Sequence, residues 1–543
     1  MLGEARASWI GYFAAMVLVA ATGFLEGCGP APSSSRPNFL IILADEMGFS
    51  DAASYGGEIR TPNIDRLAAN GLRFTHFYNT GRCWPTRSSM LTGYYAQQIR
   101  MDPPEGQLPE WTRLMPYYLK PLGYRSYHTG KWHILGASNP VAEGGFDRSY
   151  TLEDQDRYFS PQEHYLNDTR LQPVARESEY YATTAITDYA IEWLDEHAEQ
   201  HPRDPFLLYI AFTAPHFPLH ALQEDIERYR DRYLAGWDVL RGERWARIRE
   251  LGIATGILPP RDEDLTPRYW NDDVLAQIGP GEVKHAVAWE SLMEEQRRLQ
   301  ATKMAIHAAM IDRMDREIGR VLDRLDEWGE LDNTVVFFLS DNGADATLMV
   351  RGDGHDSSAQ PGSASSYLTL GPGWAAASNA PFRYHKSWVH EGGISTPLIV
   401  HWPEGIRARG ELRRNVGHVI DLVPTILDLA GGQLSESKKS AKAPPFPGRS
   451  LVPVFEDDES VERDFLFFHH EGNRALRVGE HKLVSAKENG DIWELYDLSN
   501  DRSETFDLAV RQPELLEQLE AQWEELEQRF REQCAQPNAG HSN

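Results

Sequence analysis

Asn38-Phe-Leu-Ile-Ile-Leu-Ala-Asp45-Glu46 is the stretch whose reading decides the fold. Phe39 to Ala44 is apolar without a polar alternation, the pattern of a parallel strand covered on both faces, and it runs straight into two acids. Pro205-Phe-Leu-Leu-Tyr-Ile-Ala-Phe212, Thr334-Val-Val-Phe-Phe-Leu-Ser340 and Pro397-Leu-Ile-Val-His-Trp402 look alike. Helical patterns fall between these runs. Ile64 to Asn70 closes at Gly71, and Tyr180 to His197 places Ala185, Tyr189, Ile191 and Leu194 mainly on one side. Met304, Ala308, Ile311, Ile318, Val321, Leu322 and Leu325 recur at helical spacing before Gly329. The alternation predicts an α/β fold with a large, mostly parallel central sheet flanked by helices.

Outward from that frame, Leu222 to Gln300 is charged, Trp-containing and mostly helical in pattern, and reads as a long insertion at about 222–300. Arg351 to Asn379, rich in Gly, Ser and Ala, reads as a loop over something functional. Hydrophobicity falls near Lys438-Lys439-Ser-Ala-Lys-Ala-Pro-Pro, which places the main domain at 37–440. Beyond it, Phe465 to Phe468, Ala475 to Val478, His481 to Ser485 and Trp493 to Tyr496 are strand-like, and Leu515 to Phe530 is an acidic amphipathic helix. These predict a smaller C-terminal α+β subdomain, antiparallel sheet plus helix, over 455–536.

The 543 residues carry 54 Lys plus Arg against 81 Asp plus Glu, a formal charge of −27, so no nucleic acid is expected as a partner. Cys28, Cys83 and Cys534 lie too far apart in sequence for a disulfide framework or a Cys-based zinc cluster. Residues 1–28 read as a signal peptide, because Trp9 to Leu25 is an apolar run after a short segment in which Glu4 partly offsets Arg6. Leu25-Glu26-Gly27-Cys28 and the Pro- and Ser-rich tether at 29–36 resemble a bacterial lipoprotein signal, with a lipid anchor on Cys28, although Glu26 stands where a small or β-branched residue is expected. An ordinary cleaved signal or an uncleaved anchor is the alternative. Both imply export, to the periplasm or the cell surface.

Three of the four apolar runs end in chemistry: Asp45-Glu46, then His216 after Thr213-Ala-Pro, then Asp341-Asn342. In open α/β sheets ligands bind outside the carboxyl ends of the strands, so these groups are expected to meet at one site. Three carboxylates and an amide oxygen make a hard oxygen cage suited to Ca2+ or Mg2+. Any one Asp at a strand end is more often a helix cap; it is their coincidence that points to a site.

A second cluster is Thr80-Gly-Arg-Cys83-Trp-Pro85-Thr-Arg87-Ser-Ser-Met-Leu-Thr92-Gly93. It resembles the sulfatase family, whose hallmark is Cys-x-Pro-x-Arg followed after four residues by Thr-Gly. The resemblance runs from about Arg36 to about Asp507, through Asp45-Glu46, Thr61-Pro-Asn-Ile-Asp65, Gly130-Lys131-Trp-His133, Pro215-His216, Ser340-Asp341-Asn342-Gly343 and Lys386 before Trp388-Val-His-Glu-Gly-Gly. The insertion, Gly371-Pro-Gly-Trp374 and Glu471-Gly-Asn-Arg474 look most like microbial arylsulfatases. The family usually has Asp-Asp where this chain has Asp45-Glu46; glutamate reaches farther by one methylene, so it would bind the metal differently or leave a water in its place.

The resemblance implies that Cys83 is converted by a separate formylglycine-generating enzyme to formylglycine, an aldehyde whose hydrate is the nucleophile. It assigns the metal to Asp45, Glu46, Asp341, Asn342 and residue 83. Arg87 and Lys131 would hold the diol and sulfate, His133 would be the base for elimination, and His216 with Lys386 would bind sulfate and assist the leaving group. Attack on sulfur would release the alcohol, and the second hydroxyl of the hydrate would then expel sulfate by C–O cleavage. Pro85 suits a first helical turn, which places residue 83 at a helix N-terminus favourable to negative charge.

Singly, each assignment has a plainer alternative: surface cations for Arg87 and Lys131, a packed imidazole for His133, a rigid loop residue for His216. His128, His220, His285, His385 and His390 receive no role. The competing functions are a phosphodiester or phosphonate monoester hydrolase of the wider alkaline-phosphatase-like superfamily and a non-catalytic glycan-binding homologue. Small aryl or alkyl sulfates and the sulfated end of a glycan both stand as substrates; the acidic composition argues against an extended groove for polyanions.

Overall fold

The computed structural model describes residues 36–267, 272–432, 443–459 and 461–535. The signal segment with Cys28, nearly all of the tether and the Lys438-Lys439 boundary lie outside the described residues. Strands β1 (Asn38–Ala44), β2 (Leu72–Tyr78), β3 (Arg125–Gly130), β4 (Arg148–Leu152), β5 (His164–Leu166), β6 (Thr169–Arg170), β7 (Phe206–Ala211), β8 (Thr334–Ser340), β9 (Ser395–His401), β10 (Glu411–Arg413) and β11 (Gly417–His418) form an eleven-stranded sheet. Its order is β10-β2-β9-β8-β1-β7-β3-β4-β5-β6, with β11 beside β2.

β8, β1, β7, β3 and β4 are consecutive and parallel. The register aligns Ala44 with Ser340, Leu43 with Ala211, and Gly130 with Ala211. The chain therefore leaves four neighbouring strands at one level, just before Asp45, Lys131, Phe212 and Asp341. The fourth apolar run departs from expectation: β9 is antiparallel to both β8 and β2. A continuous apolar run reports burial on both faces, which an inserted antiparallel strand shares.

Alternate residues feed two cores, as the pleat requires. Leu40, Ile42, Leu208, Ile210, Val336 and Phe338 pack with Met304, Ala308, Ile311, Ile318, Val321, Leu322 and Leu325 of the helix Glu294–Trp328. Gly329, at φ 79°, closes that helix. Phe39, Ile41, Leu43, Leu207, Tyr209, Val335, Phe337 and Leu339 face Met90 and Leu91 of the helix Cys83–Thr92 and Leu422 to Leu427 of the helix Leu422–Leu429. In the helix Ala182–Gln200 the buried stripe is Ile186, Ala190, Trp193, Leu194 and His197, not the expected Ala185, Tyr189 and Ile191. Trp193 and Ile186 bury more apolar area and set the rotation. Among the described residues the insertion is less helical than its pattern, with α-helices at Gln223–Ile226, Gly236–Glu250 and Asp272–Ile278 and the first turns of the helix Glu294–Trp328.

The C-terminal sheet, β12 (Leu466–His470), β13 (Asn473–Val478), β14 (His481–Ser485) and β15 (Trp493–Asp497), is antiparallel in sequence order. The helix Pro513–Ala535 covers one face with Leu519, Trp523, Leu526 and Phe530. The other face packs Leu466, Phe468, Ala475 and Val484 on Tyr78, Val389 and Ile394. Lys482 Nζ, fully buried, bridges Glu391 (2.9 Å) and Glu504 (2.7 Å) beneath it. No described helix is long and apolar enough to cross a membrane.

Candidate active site

Cys83 opens its helix as predicted, after Arg82 in extended conformation (φ −150°), and Gly93 closes it at φ 79°. Thr80 and Thr86 tie the entry, Oγ1 to Oγ1 at 2.8 Å. From the next turn Arg87, completely buried, donates Nε and Nη2 to Asp341 Oδ2 (3.0 and 2.8 Å) and Nη1 to the Lys131 carbonyl (2.8 Å). One guanidinium thus ties the helix that Cys83 opens to the loops after β8 and β3, using the planar fork that a lysine lacks. Lys131 Nζ donates to Asp45 Oδ2 at 2.6 Å. His133 holds a left-handed backbone (φ 53°) beside Cys83.

Charge is unevenly shared across this cluster. Burial alone would raise the Asp45 carboxyl, but Lys131, His216 and Arg87 hold it below the usual carboxylate range. Burial and the neighbouring Asp45 push Asp341 well above it, against the pull of Arg87. Burial likewise opposes ionisation of the Cys83 thiol, and Lys131 with His133 overcomes this and brings it well below its ordinary value. Burial lowers His133, with the Cys83 contact acting the other way.

Asp45 Oδ1 and Asn342 Oδ1 are buried and have no hydrogen-bond partner. Orphaned oxygens beside a second buried carboxylate are the donor set a hard divalent cation satisfies, so Asp45, Asp341 and Asn342 fit a metal on chemical grounds. Glu46, also left-handed at φ 72°, lies otherwise. Its amide donates to Asp341 Oδ1 (3.2 Å), while its Oε1 is 3.0 Å from His216 Nε2 and pairs with Lys386 Nζ. Ligand atoms of Asp45, Glu46 and His216 lie within 4.8 Å of one another. The extra methylene lets Glu46 reach from the cation locus to the two groups expected to hold sulfate.

The ten residues singled out in the sequence thus form one linked cluster, buried except at His133, which is half-buried. Asp345 was missed: its Oδ2 is 3.3 Å from Lys386 Nζ. Despite burial, that lysine brings Asp345 down to about 2, and Glu46 with Asp345 raises Lys386. Three positions after Asn342, nothing in sequence marked it. Of the five histidines left unassigned, four are engaged elsewhere, His128 with Ser149 (2.9 Å), His220 with the Ser366 carbonyl (2.7 Å), His285 with the Leu265 carbonyl (3.2 Å) and His390 with Glu494 (3.3 Å), while His385 adjoins Lys386.

Residues 37–432 match the family model described as Sulfatase, and residues 382–533 match that of the N-sulphoglucosamine sulphohydrolase C-terminal region. The chain is 32% identical over 540 residues to an uncharacterized sulfatase of Schizosaccharomyces pombe, covering 90% of this chain and 93% of that one. It is 30% identical over 466 residues to an arylsulfatase of Klebsiella aerogenes, covering 79% and 94%. Its fold is similar to that of a protein solved in complex with its substrate D-glucosamine-2-N,6-O-disulfate, with a TM-score of 0.66 at 20% sequence identity, over 93% of this chain and 100% of that one.

Proposed function

The chain belongs to the sulfatase family and is a sulfuric ester hydrolase, and from that premise we propose that it cleaves the sulfated end of a carbohydrate, with arylsulfatase-like breadth, through formylglycine made from Cys83 and a divalent metal. The observation that carries the reading is the convergence of Cys83, Arg87, Lys131 and His133 with the orphaned oxygens of Asp45 and Asn342. When present, the hydrated aldehyde supplies the attacking hydroxyl, and Ca2+ or Mg2+ supplies positive charge to orient sulfate.

The side chains then divide the work. Asp45, Asp341 and Asn342 hold the cation, with Glu46 joining them or facing the cradle. Lys131, between Asp45 and residue 83, neutralises charge gathering on the nucleophile. His133, half-buried beside residue 83, takes the proton whose loss frees sulfate. His216 Nε2 and Lys386 Nζ, now turned on the Glu46 carboxylate, present two donors to an incoming sulfate oxygen and to the departing alkoxide. A carboxylate held by that pair supports the reading that the pocket suits an anion. The sugar sulfate bound by the structural neighbour supports the carbohydrate assignment.

We also place the protein outside the cytoplasm, periplasmic or on the cell surface with lipid on Cys28, on the strength of the apolar run Trp9 to Leu25. The modifying enzyme is then a transient partner.

The deciding experiment is the mass of the tryptic peptide Cys83-Trp-Pro-Thr-Arg87 from protein made with the modifying enzyme, alongside turnover of 4-nitrophenyl sulfate and sulfated monosaccharides. An aldehyde mass with turnover that vanishes in Cys83→Ala is expected. Undiminished turnover in Cys83→Ala, or phosphoryl turnover exceeding sulfuryl turnover, would overturn the reading.

A further inference from the structure

The base proposed above has no ordinary tether. A catalytic imidazole is usually oriented by a hydrogen bond to its second nitrogen. His133 Nδ1 is buried and has no such partner. Its backbone is in the left-handed region (φ 53°), where no regular element holds the side chain. Besides its contact with Cys83, the ring meets Trp84 edge-on, centroid to centroid 5.8 Å at 64°.

Trp84 is itself clamped. Its Nε1 donates to the Met101 carbonyl at 3.0 Å. The His470 ring meets it at 5.6 Å and 63°, and Arg82 lies 5.0 Å from its centroid. His470 ends β12 of the C-terminal sheet and is essentially fully buried, with Nδ1 2.9 Å from Asp102 Oδ2; its Nε2 lies 3.8 Å from the Glu471 carboxylate. Met101 and Asp102 are consecutive, so one short segment fixes the tryptophan by a carbonyl and the histidine by a carboxylate. The same hairpin reaches the opposite wall, where Asn473 Nδ2 donates to the Ser387 carbonyl (2.8 Å), next to Lys386.

We propose that His470, oriented by Asp102, is a positioning residue that holds Trp84 against His133 and so aims the base at residue 83. The C-terminal sheet thereby completes the active site. The role rests on the sulfatase reading of His133, and acts only on the half of turnover in which His133 removes a proton, after the alcohol has left.

The test uses the full-length, aldehyde-bearing protein, 4-nitrophenyl sulfate and the variants His470→Ala and His470→Phe. In His470→Ala, kcat is expected to fall about ten- to a hundredfold, since a small misplacement of a general base costs that much, and KM to fall with it, because kcat/KM is set by the steps up to loss of the alcohol and should stay within about twofold. One equivalent of nitrophenol should appear in a burst before the slow steady state, and the protein mass should rise by one sulfo group. His470→Phe, which keeps a ring against Trp84, should recover most of the loss. A purely structural histidine would lower the melting temperature without burst or mass gain. That result, or kcat within twofold of wild type, overturns the proposal. Should His470→Ala not fold, the isosteric Asp102→Asn carries the same kinetic test. Independently of turnover, crystals of wild type and variant should show the His133 ring displaced, and an unmoved ring also overturns the proposal. A wild type that carries the aldehyde yet hydrolyses no sulfate ester defeats the sulfatase reading instead, and the crystal comparison still decides the clamp.

Discussion

Glu46 and Arg87 show how much a single side chain decides here. Glu46 Oε1 engages both His216 and Lys386, so if that pair holds sulfate as proposed, an incoming sulfate must displace a carboxylate already seated there. Aspartate is too short to make that reach. Glu46→Asp is therefore expected to strengthen inhibition by inorganic sulfate, roughly tenfold, the worth of one charge-assisted hydrogen bond. Sulfate inhibition constants for the two proteins check this, and unchanged constants would show that Glu46 does not compete. Arg87 is buried against Asp341 and within 3.6 Å of Asp45. Arg87→Gln leaves both carboxylates without their shared cation and should cost about 3–5 kcal/mol in urea unfolding of the metal-free protein. Metal should return part of that loss. Both residues were named from sequence, but the pairing of Glu46 was not legible there, because one methylene of reach matters only once the cradle is built.

At the level of elements, the strands most easily read are those with no polar residue to interrupt them. β1, β7 and β8 were legible because both faces are apolar. β3, Arg-Ser-Tyr-His-Thr-Gly, carries Lys131 and His133 at its end yet was unreadable as a strand, since the buried polar Ser126, His128 and Thr129 interrupt its apolar pattern, and the partner of His128, Ser149 at 2.9 Å, is supplied only by the folded sheet. Its last residue is constrained from two sides. Gly130 has φ 107°, and a Cβ there would lie 1.9 Å from the Ala211 carbonyl oxygen of β7. Gly130→Ala is expected to cost roughly 2–4 kcal/mol in chemical denaturation and to lower activity by displacing Lys131. A stable, fully active variant would show that the β3–β7 junction tolerates adjustment.

Across the whole molecule, the C-terminal sheet is joined to the catalytic domain by buried charge as well as by apolar contact. Burial would raise the Glu391 carboxyl, but Lys482, Arg502 and Arg477 bring it down to about 2 from an ordinary 4.5. A carboxyl depressed on folding stabilises the native state above its unfolded value and loses that contribution as pH falls through its folded one. Comparing urea unfolding of wild type and Glu391→Gln at a series of pH values should therefore show a gap of about 3 kcal/mol above pH ~4.5 that closes toward pH ~2. A gap independent of pH would remove Glu391 from acid sensitivity.

By itself the sequence determined the α/β architecture with its C-terminal antiparallel sheet and helix, and singled out the residues that gather at the candidate site, because apolar runs, strand-end acids and the Cys83 motif are local patterns. Tertiary structure alone decided the direction of β9, the rotation of the helix Ala182–Gln200, the pairing of Glu46 with His216 and Lys386, and the contact of His470 with Trp84. Each of these joins segments far apart in the chain, or turns on which neighbour competes for the same buried space, and no local pattern encodes either.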